Sequence, residues 1–528
     1  MRFADPGAKV RSIVETARLL PALVAIALAP GAFAPTPSAY AAAPTTAPPA
    51  EPAPAISAAA RAAWGFDRSD LPPHPGVRFG VLANGMRYAV MRSAAPAGGL
   101  SLRLRVDVGA AAERGDQRGF AHLIEHLIFH GTASIPEGAL PLMLAHRGLR
   151  RRADFNAFTS YDETVYRLDM ARSDAAARET SLAVMREIAG KLAFGRAAVA
   201  GAKTAVREEI RARDAAQDGI LVAQNRLFAP GAAIARGPVA GTQAEVARAT
   251  GPALRRLYET YHVPERTILV LVGDVDPAAA EAEIAALFAD WRPRGGPTLD
   301  RPAPDRGPPA IPPRRPIETA LYVHRAAPTL VTIAVSAPLG GGADAGRSRD
   351  AHFLEHLAGQ MLNRRLARLA ATPGAPFAAA DHAAYDHFAT VRLARIELEA
   401  RDRDWRGALR AGAVELGRAL ADGFTQAELD AQLAAARAGL ARSAAPRTAA
   451  ALADAIVDAA GRRIVFTEPA DPAGTDAYLA RIRLPDVNAA FRAVWAGRGR
   501  LVFVAHHRRI PGGEAAIAAA WREAAGAR

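Results

Sequence analysis

Residues 119–127 read Gly-Phe-Ala-His-Leu-Ile-Glu-His-Leu, and this stretch decides how the rest of the chain is interpreted. On a helix, His122 and His126 lie one turn apart on the same face, and Glu125 lies beside both. Two imidazoles at this spacing can hold one zinc ion, and the adjacent carboxylate can reach a water molecule on the metal. The metal lowers the pKa of the water, and the carboxylate passes its proton to the leaving amine.

The composition and the neighbouring residues support a metal site made of histidines and carboxylates. The 528 residues include 13 histidines and no cysteine, which excludes thiolate zinc sites, cysteine nucleophiles and disulfides. A His-x-x-Glu-His pattern also arises by chance, so its surroundings decide. Leu123, Ile124 and Leu127 make the helix largely apolar, and burying two histidines and a glutamate there without a metal would be costly. We therefore predict one zinc ion per chain.

Zinc needs a third protein ligand, and a later helical stretch offers two glutamates. Residues 205–210 read Ala-Val-Arg-Glu-Glu-Ile, and the apolar stripe of this helix includes Ala205. Glu209 falls inside that stripe, whereas Glu208 points to another side. Glu209 is the predicted third ligand, and Glu208 is the alternative. One turn later, Arg213 is expected to face water or to pair with an acid.

Strand and helix patterns occur in a similar order in the two halves of the chain. The predicted strands of the first half are the hairpin Val77–Val90 around Asn84-Gly85, Leu100–Val108 and Thr267–Val272. The predicted elements of the second half are the strands Ala320–His324, Val331–Ala337 and Leu501–Ala505 and the helices Trp405–Ala421 and Gln426–Ala441. This order predicts an α+β protein with two homologous α/β-sandwich domains, the first carrying the zinc site.

Composition shifts set the expected domain boundaries. Proline, glycine and arginine crowd residues 292–316, which is typical of a linker. The expected order is a signal peptide (1–41), a Pro/Ala-rich linker (42–75), a catalytic domain (76–291), the linker at 292–316, a second, metal-free domain (317–512) and a C-terminal tail (513–528).

The N-terminus is typical of an exported protein. After several basic residues, an apolar run extends from Leu19 to Ala34, and Ala39-Tyr40-Ala41 suits signal peptidase. The run is short and interrupted by prolines, so we expect no stable membrane span; an uncleaved anchor is the alternative. The expected location is the bacterial periplasm. The net charge of +13 comes from arginines spread along the chain, without a basic stripe, so no nucleic-acid partner is expected.

At these motifs the chain resembles the pitrilysin/insulinase family of zinc peptidases. The family's metal helix matches residues 119–132, its opening hairpin matches residues 84–86, and the resemblance extends from about residue 77 to residue 507. The implied roles are metal ligands for His122 and His126, the base for Glu125, and the distal ligand for Glu209. The family's edge strand matches residues 154–160. The resemblance implies that a substrate strand is added there, with Asn156 and Ala157 touching the peptide.

Two departures from the family pattern bear on activity. The family often has a second carboxylate seven residues before the distal ligand, where this chain has Ala202. Family members also carry an Arg and a Tyr seven residues apart in a later domain, but Arg368 is followed at that offset by Ala375. The chain thus resembles the N-terminal half of long periplasmic members, or a processing-peptidase-like subunit. The resemblance implies half of a chamber, closed in a homodimer or a heterodimer with a second peptidase-like chain.

A second His-x-x-Glu-His pattern lies at residues 352–356. The helical region expected to supply its third ligand has Glu428 too early and Arg437 near the expected place. We therefore predict a helix with capping or core histidines there, and the alternative is a second zinc site.

The sequence as a whole predicts a zinc endopeptidase acting on peptides or unfolded protein segments. The alternative is an inactive or weakly active peptide-binding subunit that completes a partner peptidase. The intact residues His122, Glu125 and His126 favour the enzyme, whereas Ala202 and the missing Arg–Tyr pair favour the alternative.

Overall fold

The structure is a computed structural model that describes residues 55–526, except 96, 147–148, 150–153, 214, 295–310, 312–314, 340–345, 444–446, 468–471 and 497–498. The signal peptide predicted at 1–41 and most of the linker predicted at 292–316 lie outside the described residues.

Two β-sheets organise the described part of the chain. The strands of the first are β1 (Val77–Val81), β2 (Arg87–Arg92), β3 (Leu100–Val106), β4 (Phe155–Thr159), β5 (Thr164–Met170) and β6 (Thr267–Gly273). The strands of the second are β7 (Glu318–Val323), β8 (Leu330–Pro338), β9 (Phe377–His387), β10 (Val391–Ala400) and β11 (Leu501–His506).

Helices cover both faces of these sheets. Those before β7 are α1 (Ala58–Trp64), α2 (Phe120–Leu127), α3 (Ala139–Ala145), α4 (Ala175–Gly190), α5 (Arg196–Ala212), α6 (Ala215–Phe228), α7 (Gln243–Arg248), α8 (Gly251–Tyr261) and α9 (Pro277–Phe288). Those after β8 are α10 (Gly346–Ala370), α11 (Trp405–Ala421), α12 (Gln426–Ser443), α13 (Ala449–Arg462), α14 (Pro472–Ala480), α15 (Leu484–Trp495) and α16 (Gly513–Gly526). In the described part of the chain, no helix has the length and apolar character needed to cross a membrane.

The two sheets share one strand arrangement, as expected for a repeat. The order is β1-β2-β6-β3-β5-β4 in the first sheet and β7-β11-β8-β10-β9 in the second. In each sheet a parallel pair, β2 with β6 or β7 with β11, lies beside a run of antiparallel strands. The strands β4 and β9 take equivalent places at the end of each order. The chain therefore consists of two homologous α+β units, which confirms the predicted fold class.

The predicted opening hairpin is confirmed, and its turn anchors it to a helix. β1 and β2 pair antiparallel around Asn84-Gly85, and Gly85 has a φ of +90°, in the left-handed region that glycine tolerates. The Asn84 side chain donates to the carbonyl of Phe288 at 2.7 Å. The turn is thereby joined to the end of α9.

Each sheet is covered on one face by a helix from the opposite half of the chain. In the first unit, α13 packs its buried Ala453 and Ile456 against a sheet face that includes Ile268. In the second unit, α6 buries Ile220 in a cluster that contains Phe503. This exchange buries apolar area on both sheets, so the two units stabilise one another.

A buried arginine reinforces the exchange. Arg103 on β3 is fully buried and donates to Asp169 at 2.8 Å and to Asp454 of α13 at 2.6 Å. A buried guanidinium is tolerated only when its donors are paired, and here both halves of the chain supply acceptors.

Two segments expected to lie outside the domains are folded in the structure. Helix α1, within the predicted linker 42–75, is capped by the Ser57 hydroxyl, and the buried Phe66 follows it. Helix α16 forms most of the predicted tail 513–528 and buries Ile517 and Trp521. Both segments are rich in alanine, so the few large apolar side chains that anchor them, such as Ile517 and Trp521 one helical turn apart in α16, give only a weak sequence signal.

Candidate metal centre

Helix α2 carries the His-x-x-Glu-His motif and is held tightly at its start. Gly119 precedes it with a φ of +82°, and a Cβ there would lie 2.5 Å from the carbonyl oxygen of Ala240. Only glycine fits this close approach. Leu123 and Ile124 are buried, and they anchor the helix in the core of the first unit.

The two motif histidines and Glu209 converge on one point. The rings of His122 and His126 are nearly perpendicular, with centroids 4.8 Å apart. Glu209 on α5 brings Oε2 to 3.1 Å from Nε2 of His126 and to 3.6 Å from Nε2 of His122. Glu208 is exposed. The structure thus brings together the three predicted ligands and leaves the alternative outside.

The chemistry of this donor set fits a zinc ion. Among the described residues, one group of three side chains has potential ligand atoms mutually within 4.8 Å, and it consists of His122, His126 and Glu125. Glu209 is outside that group, although its Oε2 lies within 3.6 Å of Nε2 of both histidines. Burial, together with His126, lowers the pKa of His122 to about 3, so this imidazole is neutral at pH 7. Partial burial opposes ionisation of Glu209, but the hydrogen bond with His126 and the charge of Arg213 hold its pKa well below the usual range. Neutral imidazoles and an ionised carboxylate are the forms that zinc binds.

Glu125 is buried beside the candidate ligands and is fixed by a strand of the first sheet. The Thr159 hydroxyl donates to Oε2 of Glu125 at 2.8 Å, which joins α2 to the end of β4. Burial raises the pKa of Glu125 to about 7, against the effects of His126 and Thr159. A carboxylate with a pKa in this range is suited to taking up a proton near neutral pH.

The predicted substrate residues lie on the same strand as Thr159. Asn156 is exposed and Ala157 is buried, as the alternation of a strand requires. β4 pairs with β5 on one side and stands at the end of the sheet order, so its other side is an edge in the described structure. The edge position implied by the resemblance is therefore confirmed.

Sequence reasoning missed Glu113, a buried carboxylate that orients helix α2. It accepts hydrogen bonds from the backbone N–H groups of Gly119 at 2.8 Å and Ala121 at 2.7 Å. Both N–H groups lie at the start of α2, where backbone donors have no hydrogen-bond partner within the helix. Burial raises the pKa of Glu113 to about 8, although both backbone hydrogen bonds act in the opposite direction. The sequence signal that could have indicated this role is an acidic residue a few positions before a helix that begins directly after a glycine.

Glu113→Gln is expected to destabilise the protein by about 1–3 kcal/mol, because an amide cannot accept both hydrogen bonds and turns N–H groups towards buried donors. Urea denaturation measures the change in the free energy of unfolding. Glu208→Gln, at an exposed glutamate, is the control and should unfold like the wild type. Equal midpoints for all three proteins would show that Glu113 does not hold the helix.

The helix predicted at the second motif is confirmed as part of α10, but His352 and His356 are exposed within that helix, so the expectation that they are capping or core histidines is wrong. Glu355 on α10 accepts a hydrogen bond from Arg392 of β10, so its carboxylate is engaged by a guanidinium. Glu428 on α12 is bound by Arg365 at 2.6 Å, and Arg437 pairs with Asp476 at 3.0 Å. The carboxylates in this region therefore neutralise arginines.

Two family models match the chain, and the similar proteins are described as proteases. The family model described as Insulinase (Peptidase family M16) matches residues 88–234, and the one described as Peptidase M16 inactive domain matches residues 248–435. The "Probable zinc protease PqqL" of Escherichia coli K12 is 31% identical over 215 residues, which are 40% of this chain and 23% of that protein. The protein of the same name from Haemophilus influenzae is 28% identical over 209 residues, which are 39% of this chain and 22% of that protein.

Solved structures show the same fold. The first half of the periplasmic protease PqqL from Escherichia coli matches with a TM-score of 0.73 and 21% identity, over 87% of this chain and 98% of that one. The structure of the longer PqqL chain matches with a TM-score of 0.75 and 21% identity, over 87% of this chain and 51% of that one. This chain therefore matches about half of that longer structure, and its sequence match spans less than a quarter of each of the two curated relatives named above.

The two family models together span more than half of the chain: the first falls within the first unit, and the second extends from the end of that unit into the second unit. By sequence and by fold, the chain belongs to peptidase family M16, the insulinase/pitrilysin family.

Proposed function

We propose that this protein is a zinc-dependent endopeptidase that hydrolyses peptides or unfolded protein segments. The observation that carries the proposal is the convergence of His122, His126 and Glu209 in front of the buried Glu125. We assign catalysis to residues 76–291 and regard residues 317–512 as a metal-free second domain.

Each residue at the site has a distinct proposed role. A bound zinc ion would polarise the scissile carbonyl and acidify the attacking water. His122, His126 and Glu209 would hold the metal, leaving a fourth position open. Glu125 would take the proton from the attacking water at its carboxylate and deliver it to the nitrogen of the leaving amine.

The position of β4 supports binding of the substrate as an added strand. An extended peptide could pair with the free edge of β4 at Asn156 and Ala157. Main-chain hydrogen bonds recognise any extended sequence, which suits unfolded segments better than a fixed recognition sequence. Because Thr159 on this strand also bonds Glu125, the paired peptide would lie close to the base.

Thr159→Val is expected to lower kcat about tenfold with little change in KM, because the lost hydrogen bond is worth about 1–1.5 kcal/mol and holds the base rather than the peptide. Thr159→Ser keeps the hydroxyl and should restore most of the rate. Steady-state kinetics on a peptide separate the two parameters. A Thr159→Ser variant as slow as Thr159→Val would indicate that the side chain acts through packing.

The proposal is tested by incubating the purified full chain with a library of quenched fluorescent peptides. We expect cleavage that a zinc chelator abolishes and that added zinc restores. Cleavage insensitive to chelation would contradict metal catalysis. Digestion of an unfolded protein, with the folded form left intact, would support the proposed substrate class.

One observation favours the alternative of a peptide-binding subunit with little activity of its own. Position 202 on α5 is a fully buried alanine and offers no polar group to the metal centre. Zinc bound at one ion per chain without cleavage of any peptide would favour this alternative. The search would then turn to a second copy or a different peptidase-like chain that completes the chamber.

The setting of the enzyme is also part of the proposal. We infer export to the periplasm from the predicted signal peptide at 1–41, and the periplasmic location of PqqL in Escherichia coli supports this. Fractionation of cells that express the full chain tests the location directly.

A further inference from the structure

Arg213 binds the oxygen of Glu209 that faces away from the histidines. Its Nη2 donates to Oε1 of Glu209 at 2.6 Å, and its Nε donates to the same oxygen at 3.2 Å. The other oxygen, Oε2, is the one directed at Nε2 of His126 and His122. The carboxylate is thus held between a guanidinium and two imidazoles. The expectation that Arg213 faces water or pairs with an acid is resolved in favour of the acid.

The backbone explains why Arg213 can reach this oxygen. Arg213 is the residue at which α5 ends: its N–H donates to the carbonyl of Glu209 at 2.8 Å, while its own φ and ψ of −65° and 150° are extended. The side chain therefore folds back over the last turn. A carboxylate near a helix C-terminus is unfavourable, and a cation at the cap offsets this.

We propose that Arg213 is a positioning residue for the metal centre: it fixes Glu209 as a ligand through the single oxygen Oε2. This inference rests on the proposed zinc site. It adds a residue that controls how a ligand binds the metal but does not itself bind the metal. Without the guanidinium, the half-exposed Glu209 side chain would be free to rotate about its torsions, and both of its oxygens would be available.

Two physical effects of Arg213 act in opposite directions, which makes the proposal testable. Its positive charge repels a metal dication, so removal of the charge alone would strengthen zinc binding. Its hydrogen bonds preorganise the ligand, so removal of the bonds would weaken zinc binding. The proposal states that the second effect is the larger.

The test compares zinc affinities of the full chain by competition with a chelator. Arg213→Met removes charge and hydrogen bonds, and we expect zinc binding about 10–100-fold weaker than in the wild type. Arg213→Lys keeps the positive charge but loses the two-pronged contact, so it should also bind zinc more weakly than the wild type, whereas an arginine that acts through its charge alone would be replaced by lysine without effect. Arg211→Gln, at an exposed arginine of the same helix turn, is the matched control and should bind like the wild type.

Cobalt substitution gives a second readout that does not depend on activity. Arg213→Met should change the visible absorption of the cobalt-loaded protein, because the carboxylate changes its mode of binding, whereas Arg211→Gln should not. If Arg213→Met binds zinc at least as tightly as the wild type and its cobalt spectrum is unchanged, the inference about Arg213 is wrong, while the proposed function is unaffected. A wild type that binds no zinc would overturn the proposed function together with this inference.

Discussion

Glu125→Gln is expected to leave one zinc ion per chain and to reduce peptide hydrolysis by at least about 10²–10⁴-fold, the usual contribution of a general base. Glutamine has nearly the same shape and can still accept the hydrogen bond from Thr159. It cannot take up a proton from the attacking water. The change therefore removes the proposed chemical role while it preserves the local packing.

Metal analysis and kcat/KM for a fluorescent peptide, measured on the same preparation, check this expectation. Glu208→Gln is the matched control, since it makes the same substitution at an exposed glutamate. Turnover retained by Glu125→Gln would show that another group acts as the base. Loss of both zinc and turnover would show that Glu125 contributes to metal binding.

Glu209→Ala is expected to weaken zinc binding by more than about 100-fold, beyond the usual effect of removing an outer-shell partner. The substitution removes the carboxylate oxygen that lies 3.1 Å from His126. It also leaves Arg213 beside the site without the acid that neutralises it. Both consequences act against a dication.

The neighbouring glutamate provides the comparison that separates a ligand from general helix damage. Glu208→Ala changes the adjacent residue of the same helix and should keep nearly the full zinc affinity. Chelator competition on both variants measures the difference. The reverse order of affinities would make Glu208 the ligand.

The helices and strands that could be predicted are those marked by a residue pattern within one short stretch of sequence. Strand β3 alternates between apolar and polar residues, and the observed helix α11 (Trp405–Ala421) has the predicted bounds. The metal helix was predictable because one turn of helix brings His122 and His126 together. Glu209 was predictable because its position in the apolar stripe of α5 turns it towards the core.

The contacts missing from the predictions join residues that are distant in sequence. The packing of α13 on the first sheet and the pairing of Asp454 with Arg103 depend on how the two halves meet. Glu113 acts on backbone groups rather than on a partner side chain, so its sequence signal is weak: an acid shortly before the glycine that directly precedes α2. For Arg213, the sequence left open whether it faces water or pairs with an acid, and it could not identify Glu209, because the reach of the arginine side chain depends on where α5 ends.

The central claim is that the first motif, and not its echo at residues 352–356, holds zinc. The most direct test measures zinc per chain in two matched double variants of the full protein. His122→Ala with His126→Ala should contain no zinc, whereas His352→Ala with His356→Ala should contain one ion, as in the wild type. Zinc retained by the first variant, or lost by the second, would contradict the proposed site.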